Sequence, residues 1–445
     1  MHLFNKSSKN TKIKLKEYGS ICKNPDGISH GYQYLSESAF NCLEHLILEN
    51  RVTKNGAEPL EFMSLSSRRG IGKVISAKNY VGVIAMRDGT QIEILPKIYT
   101  WDEESSEVET KRIFIHMLRF IKDIPNKQFG STSLKAEKNH LLDIFIRMFI
   151  EEAMTLVKRG LKSDYREHRD NEIFYKGKLQ IAQHIKLNAA HKERFYVEYD
   201  EYSINRPENR LIKTTIELLM RLNGSVDNQK DLYLLLAAFD NVETSGHLEQ
   251  DWACISTDRM MKDYQTILDW CRLFLSGQSF TPFKGDSHAF ALLFPMEVVY
   301  ERYVAGIVKK ALTHPLLQVK TQDRTFRLFH NPARFQLQPD IVVQGPSGVV
   351  VLDTKWKRLT TTPDYGISQA DMYQAYTYGK KYGAAKVYLL YPWLPGLSVI
   401  NQPIRYDSGD GVEVRIVFVD LSLGKACVDA LSVELINAVI GNEFN

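Results

Sequence analysis

Gln338–Lys357, QPDIVVQGPSGVVVLDTKWK, is the stretch on which the fold turns. Two apolar runs, Ile341–Val343 and Val349–Leu352, flank a Gly-Pro-Ser-Gly reversal. This predicts a β-hairpin, because Gly and Pro supply the turn and β-branched residues suit a buried pleated surface. The hairpin carries Asp340, at the head of its first strand, back beside Asp353, at the end of its second. Side chains alternate along a strand, so Asp353 and Lys355 point to one side. Two carboxylates and a lysine therefore converge at one end of a sheet. Ionised groups directly after a VVVL run need a reason, because a neighbouring core strips them of water.

That set suits metal-assisted hydrolysis of a phosphodiester. Hard carboxylate oxygens from Asp340 and Asp353, with the backbone carbonyl of Thr354, are the ligand type that holds Mg²⁺. Such an ion stabilises charge on phosphoryl oxygens and acidifies bound water. Lys355 is placed to orient the attacking water or to neutralise developing negative charge. A turn aspartate and two edge-strand charges would give the same spacing, so the hairpin alone leaves both readings open.

Two further segments bear on the choice. In PMEVVYERYVAGIVKK, residues 295–310, Met296, Tyr300, Tyr303, Val304 and Ile307 form an apolar helical stripe. Glu297 and Glu301 fall together on one flank of that stripe, where a carboxylate reaches a neighbouring metal site or simply faces solvent. In ADMYQAYTYGKKY, residues 370–382, Gln374 and Tyr378 share a helix face, suited to buttressing the site or touching nucleic-acid backbone.

Outward from this region the chain reads as a multidomain α+β protein. Residues 1–110 form a β-containing domain, with a helix over Ser36–Glu49 and a hairpin over Tyr80–Tyr99 that turns at Asp88-Gly89. The acidic run Asp102–Glu109 reads as an exposed inter-domain loop. Residues 111–285 form a helical middle domain, with helices over His140–Leu161, Phe174–Asn188, Arg206–Leu222, Asp231–Phe239 and Tyr264–Leu275. Residues 286–445 alternate strands and helices, as in an α/β domain with a mixed sheet. Arg68–Lys73, RRGIGK, lacks the spacing of a phosphate loop and reads as a basic turn, so any nucleotide requirement belongs to a partner.

Composition bounds the class. The chain has 445 residues, 44% hydrophobic and 25% charged, which excludes disordered and collagen-like structure. Fifty-seven basic against 53 acidic residues leave a net charge of +4, which permits nucleic-acid binding without arguing for it. The five cysteines, Cys22, Cys42, Cys254, Cys271 and Cys427, are scattered and show no zinc-ligand spacing. No apolar run suits a secretory leader or a membrane span, so a cytoplasmic protein without a membrane partner is expected.

Helix glutamate, PD, DxK and QxxxY in this order resemble the PD-(D/E)xK nuclease superfamily in its RecB-like branch. Leu156–Leu161, Asp164-Tyr165, Tyr175–Leu179, Asp200–Ser203, Asn205, Asn209-Arg210 and Ile212-Lys213 resemble the central blocks of the McrC family. The strand end Glu93–Lys97 is similar to the N-terminal domain of its longer members, and the likeness runs from about Val81 to about Tyr391. McrC is the nuclease subunit of McrBC modification-dependent restriction systems. The resemblance implies a DNA endonuclease using Mg²⁺, with Mn²⁺ as a substitute. It also implies a hexameric AAA+ GTPase ring of McrB type as partner, on which the N-terminal part docks and whose GTP hydrolysis it stimulates. Two such complexes would pair to break both strands. Carried over by position, Asp340 and Asp353 bind metal, Lys355 is the catalytic lysine, Glu301 the helix carboxylate, and Gln374 and Tyr378 the QxxxY element. Trp356, Lys357 and Arg358, just after the lysine, are placed to touch DNA. A free-standing RecB-like repair nuclease and a non-enzymatic activator of an AAA+ partner are the competing readings.

Overall fold

The computed structural model describes residues 11–51, 61–86, 88–98, 104–121, 124–125, 140–256, 259–275, 289–359, 363–393, 404–422 and 428–440. The first ten residues, Asp102 and Cys427 lie outside the described residues. The protein is a mixed α/β, multidomain chain that divides into two compact units. One is built on residues 125–290, the other on residues 11–86, 90–124 and 291–445. These limits differ from the expected boundaries, since the N-terminal and C-terminal regions share one unit.

The reason lies in strand pairing. Lys12–Lys16, Gln91–Leu95, Tyr80–Met86 and Ala289–Pro295 form one four-stranded sheet in that order. A Cβ on Gly82 would stand 1.9 Å from the carbonyl oxygen of Leu292, so only glycine lets these two strands approach. The strand Ala289–Pro295 then runs directly into the helix Met296–Ala311. The hairpin at Asp88-Gly89 forms as expected, with Ile84 opposite Ile92. Arg68–Gly72 is the turn joining the antiparallel strands Met63–Arg68 and Gly72–Ala77.

The acidic run expected as a loop is instead the first part of the helix Glu104–Leu118. Glutamates in a first turn favour the positive end of the helix dipole. Glu107 also pairs with Lys14 at 2.7 Å and with Lys111 at 2.7 Å, and the buried Lys111 reaches Glu93 at 3.0 Å.

In the same unit, six strands make a mixed sheet ordered Gln318–Thr321, Ile341–Gly345, Gly348–Thr354, Lys386–Pro392, Glu413–Val419, Ile404–Asp407. The hairpin pairs antiparallel, Ile341 opposite Leu352, and Gly348–Thr354 pairs parallel with Lys386–Pro392. Val342, Val351, Leu389 and Ile416 pack against Ala375, Tyr378 and Tyr382 of the helix Gln369–Tyr382. The alternate residues Val350, Leu352 and Leu390 are buried too, and the helices Met296–Ala311 and Asp429–Ile440 contact this strand region. Each such side chain contributes about 1.5–3 kcal/mol when fully buried, which secures the register and leaves only the strand ends for chemistry.

The other unit packs Leu141–Arg159, Pro207–Leu222, Val226–Ala238 and Lys262–Leu275 together. Beside the expected helices it carries strands. Asp164–Glu172, Phe195–Ser203 and Lys178–Leu179 form a three-stranded sheet. Their sequences, DYREHRDNE and FYVEYDEYS, carry charges on both faces and so lack the alternation that marks a half-buried strand. The helix expected from Phe174 begins only at Ile181. Gly177 interrupts it at φ 65°, where a Cβ would meet the carbonyl oxygen of Glu198 at 2.3 Å.

Candidate active site

The hairpin's open end holds the charges. Asp340 replaces the next rung of the ladder: one carboxylate oxygen accepts from the backbone N–H of Thr354 at 2.7 Å and from its hydroxyl at 2.6 Å. Burial, then the negative charge of Glu301, pushes Asp340 up to about 6, against those two bonds. Asp353 follows the buried run Val350–Leu352 and is itself only 3% exposed. Burial and the neighbouring Asp340 push it up to about 7.

Asp353 and Lys355 share a side of the strand, facing the helix Gln369–Tyr382. Lys355 Nζ lies 2.6 Å from Asp353 Oδ2 and 3.7 Å from Asp371 Oδ1. It also donates to the side-chain carbonyl of Gln374 at 2.7 Å. Burial opposes the charged ammonium, but Asp353, Asp371 and Asp340 outweigh it and hold Lys355 above the ordinary lysine range. Gln374 in turn donates to the Tyr378 hydroxyl at 2.8 Å. Tyr378 is buried, and burial with the nearby Asp353 raises it to about 12. The expected QxxxY pair therefore forms a relay that fixes the lysine.

Glu301 approaches from the helix Met296–Ala311. Burial raises its pKa, and the Gln322 amide opposes that rise. Gln322 donates to Glu301 and, at 3.2 Å, to the second oxygen of Asp340, while Gln338 donates to Gln322. Gln322 sits at φ 53°, an unusual conformation for a side-chain-bearing residue, and such strain gathers at functional sites. Glu297, the other helix glutamate, acts instead on Glu17 and Lys97.

Asp353, Asp371 and Asp340 thus act on one ammonium, Lys355, and Glu301 adds a further negative charge beside Asp340. Each extra buried carboxylate costs several kcal/mol unless a cation offsets it. The donors are hard oxygens around a surplus of negative charge, which fits Mg²⁺ better than a soft metal. Among the described residues, no three His, Cys, Asp or Glu side chains already converge as a closed cage. The Gln322 amide stands between two of the carboxylates.

Trp356 is not where the sequence placed it. It is 3% exposed and cannot touch DNA. Its indole N–H donates to both carboxylate oxygens of Glu17, at 3.0 and 3.1 Å, and its ring leans on Tyr300 with centroids 5.3 Å apart. Glu17 also accepts from the backbone N–H of Lys97 at 2.7 Å, and Lys97 Nζ donates to the Trp356 carbonyl at 2.5 Å. This clasp holds the residue next to Lys355. Lys357 is exposed and bound to Asp371 at 2.6 Å, and Arg358 is exposed.

Sequence reasoning missed Gln322, Asp371, Glu17 and Lys97. Lys97 lies in the quoted Glu93–Lys97 strand end, which marked it as notable without a role. The other three carry no local signal.

Comparison with known proteins adds the following. A family model described as McrBC 5-methylcytosine restriction system component matches residues 75–392, more than half of the chain. The type IV methyl-directed restriction enzyme EcoKMcrBC of Escherichia coli K12 is 20% identical over 234 residues, 49% of this chain and 65% of the relative. The chain thus spans somewhat less than two thirds of that relative. A chain in the refined half-complex from a tetradecameric assembly of Thermococcus gammatolerans McrB AAA+ hexamers with bound McrC shares the fold. Its TM-score is 0.71 at 18% identity, covering 95% of this chain and 100% of that one.

Proposed function

The chain belongs to the family of McrBC 5-methylcytosine restriction system components, and from that premise we propose that it is the Mg²⁺-dependent DNA endonuclease subunit of a modification-dependent restriction complex. The observation that carries the proposal is the half-buried Asp340 beside the buried Asp353, with Lys355 Nζ 2.6 Å from Asp353 at the same strand end. The C-terminal α/β region is accordingly read as a PD-(D/E)xK nuclease domain.

In this reading Asp340, Asp353 and the Thr354 carbonyl hold the metal, with Glu301 on its flank. Mg²⁺, or Mn²⁺ in its place, supplies electrostatic stabilisation at the phosphoryl oxygens and acidifies a coordinated water. The protein's own residues prepare for that chemistry. Lys355 keeps a positive charge beside the scissile phosphate and orients the attacking water, because the surrounding carboxylates hold its proton. Gln374 fixes the position of that ammonium, and Tyr378 fixes Gln374. Gln322 bridges Glu301 and Asp340 through its side-chain amide, which holds the two carboxylates in place.

The partner is an AAA+ ring of McrB type whose GTP hydrolysis the chain stimulates; GTP binds that ring and not this chain. The matched archaeal assembly, which joins McrB hexamers and McrC, supports this, and its tetradecameric form supports pairing of two complexes for double-strand breaks. The test is plasmid cleavage by the full chain with Mg²⁺, with and without the ring and GTP, on methylated and unmethylated DNA. Wild type should cut with the ring and GTP, and Asp353→Ala should not. Undiminished cleavage by Asp353→Ala would overturn the assignment.

A further inference from the structure

Gln322 and Gln338, hydrogen-bonded to each other beside Asp340, bracket a segment that the mechanism leaves unused. Between them Arg327–Phe329 and Arg334–Gln336 pair antiparallel as a separate two-stranded ribbon. Its base is fixed. The Phe326 and Tyr382 rings meet at 4.7 Å, and the Tyr382 hydroxyl donates to Asp323 at 2.8 Å. Its far end is almost wholly exposed. A bare two-stranded ribbon is marginal in water, so one built into a protein and left uncovered invites a partner.

The sequence of the ribbon says which. RTFRLFHNPARFQLQ, residues 324–338, contains three arginines and a histidine and no acidic residue. Arg327 bonds the side chain of Gln336 at 3.1 Å, and among the described residues no carboxylate pairs with Arg324, Arg327 or Arg334. Phe329 and Phe335 are 52% and 71% exposed, with ring centroids 5.9 Å apart. Phe335 is held outward at φ 58°, a conformation bulky residues avoid. Unpaired arginines with interleaved exposed aromatics match a polyanion that also offers flat apolar surfaces, which is the chemistry of nucleic acid.

We propose that the ribbon Arg327–Gln336 grips the duplex DNA being cut, its arginines on phosphates and Phe335 against the sugar-base edge. This rests on the nuclease reading and deepens it by locating the substrate grip that Trp356 cannot supply. Because the ribbon springs from Gln322 and returns at Gln338, both beside Asp340, DNA held along it is led toward the carboxylates. Contacts of this kind position DNA and carry no sequence information.

The test is binding of a fluorescein-labelled duplex by the full chain in EDTA, where no cutting occurs, followed by anisotropy over a salt series. The variants are Arg327→Ala with Arg334→Ala, Arg327→Lys with Arg334→Lys, and Phe335→Ala. The double alanine variant should bind at least about tenfold more weakly, with the slope of log affinity against log salt reduced by about 0.9 per arginine removed. The double lysine variant should keep the wild-type slope, and Phe335→Ala should weaken binding about fivefold or more with the slope unchanged. Unaltered thermal melting shows that the exposed substitutions leave the fold intact. Cleavage by the double alanine variant with the ring and GTP should recover as DNA concentration rises, whereas Asp353→Ala should stay inactive at any concentration. Equal affinity and slope in wild type and double alanine variant would overturn the ribbon and leave the nuclease reading standing. So would a loss confined to binding of the AAA+ partner. Undiminished cleavage by Asp353→Ala would overturn the nuclease reading instead.

Discussion

Two buried charge clusters lie on either side of Trp356, and they differ in how they balance. In the clasp, Glu17 meets Lys97, with Glu297 and Lys357 adding one charge of each sign, and the Trp356 indole N–H and the Lys97 backbone N–H complete the Glu17 shell. In the site, Asp353, Asp371 and Asp340 all act on Lys355, and Glu301 adds its negative charge beside Asp340. The two lysines record the difference. Burial lowers Lys97 despite Glu17, whereas the carboxylate surplus raises Lys355 despite burial. A balanced cluster holds structure together; an unbalanced one is under electrostatic strain until a cation or substrate arrives.

The sharpest way to break this comparison is to remove one carboxylate from each cluster. Asp353→Asn should abolish cleavage, by at least about a hundredfold, yet leave the metal-free fold equally stable or about 1–2 kcal/mol more stable. Glu17→Ala should do the opposite to stability, costing about 3 kcal/mol, because it strands a buried lysine and an indole N–H. Urea unfolding without divalent ions measures both. Two losses of similar size would mean the clusters do not differ in kind.

The balanced cluster also has a pH signature. Burial, opposed by Lys97, pushes the Glu17 carboxyl from 4.5 up to about 7, with Glu297 adding to the rise. The folded chain therefore holds that proton more tightly than the unfolded chain. Its contribution to stability is complete below about 4.5 and is lost as pH climbs through about 7. Relative to Glu17→Gln, wild type should lose about 2–3 kcal/mol between about pH 5 and about pH 8. Parallel stability curves would contradict the burial of an ionisable Glu17.

A smaller effect sharpens the site itself. Tyr378→Phe removes only the hydroxyl that holds Gln374, so Lys355 loses a second-hand restraint. Steady-state cleavage with the assembled complex should fall about tenfold or less in kcat, with KM for DNA unchanged. A change confined to KM would show that the QxxxY face touches DNA instead of bracing the lysine.

The sequence made the site's centre legible because its signals are local. A Gly-Pro-Ser-Gly turn between two valine-rich runs leaves one register, and that register joins Asp340 to Asp353. The helix faces carrying Glu301, Gln374 and Tyr378 follow from spacing alone. What stayed hidden depends on long-range contact. Glu17 and Trp356 are 339 positions apart, and nothing near either residue announces the other. Trp356 looked like a DNA contact because its neighbours are basic, while its own indole turns inward. Gln322 gave no sign because its role comes from a strained backbone angle. The charged strands of the three-stranded sheet escaped because charges fall on both their faces and periodicity vanishes. Glu104–Glu109 passed for a loop because Lys14, which pairs with Glu107, lies on a distant strand, and Lys111, its other partner, is tied to Glu93 of another.

The most direct test of the unbalanced site is the Mg²⁺ dependence of thermal unfolding for wild type and Asp353→Asn. The carboxylate excess at Asp340, Asp353 and Glu301 predicts a saturable rise in wild-type stability, about 2.7 kcal/mol at a hundred times the dissociation constant, and little or none in the variant. Equal Mg²⁺ stabilisation of both proteins, or none of wild type, would contradict the account.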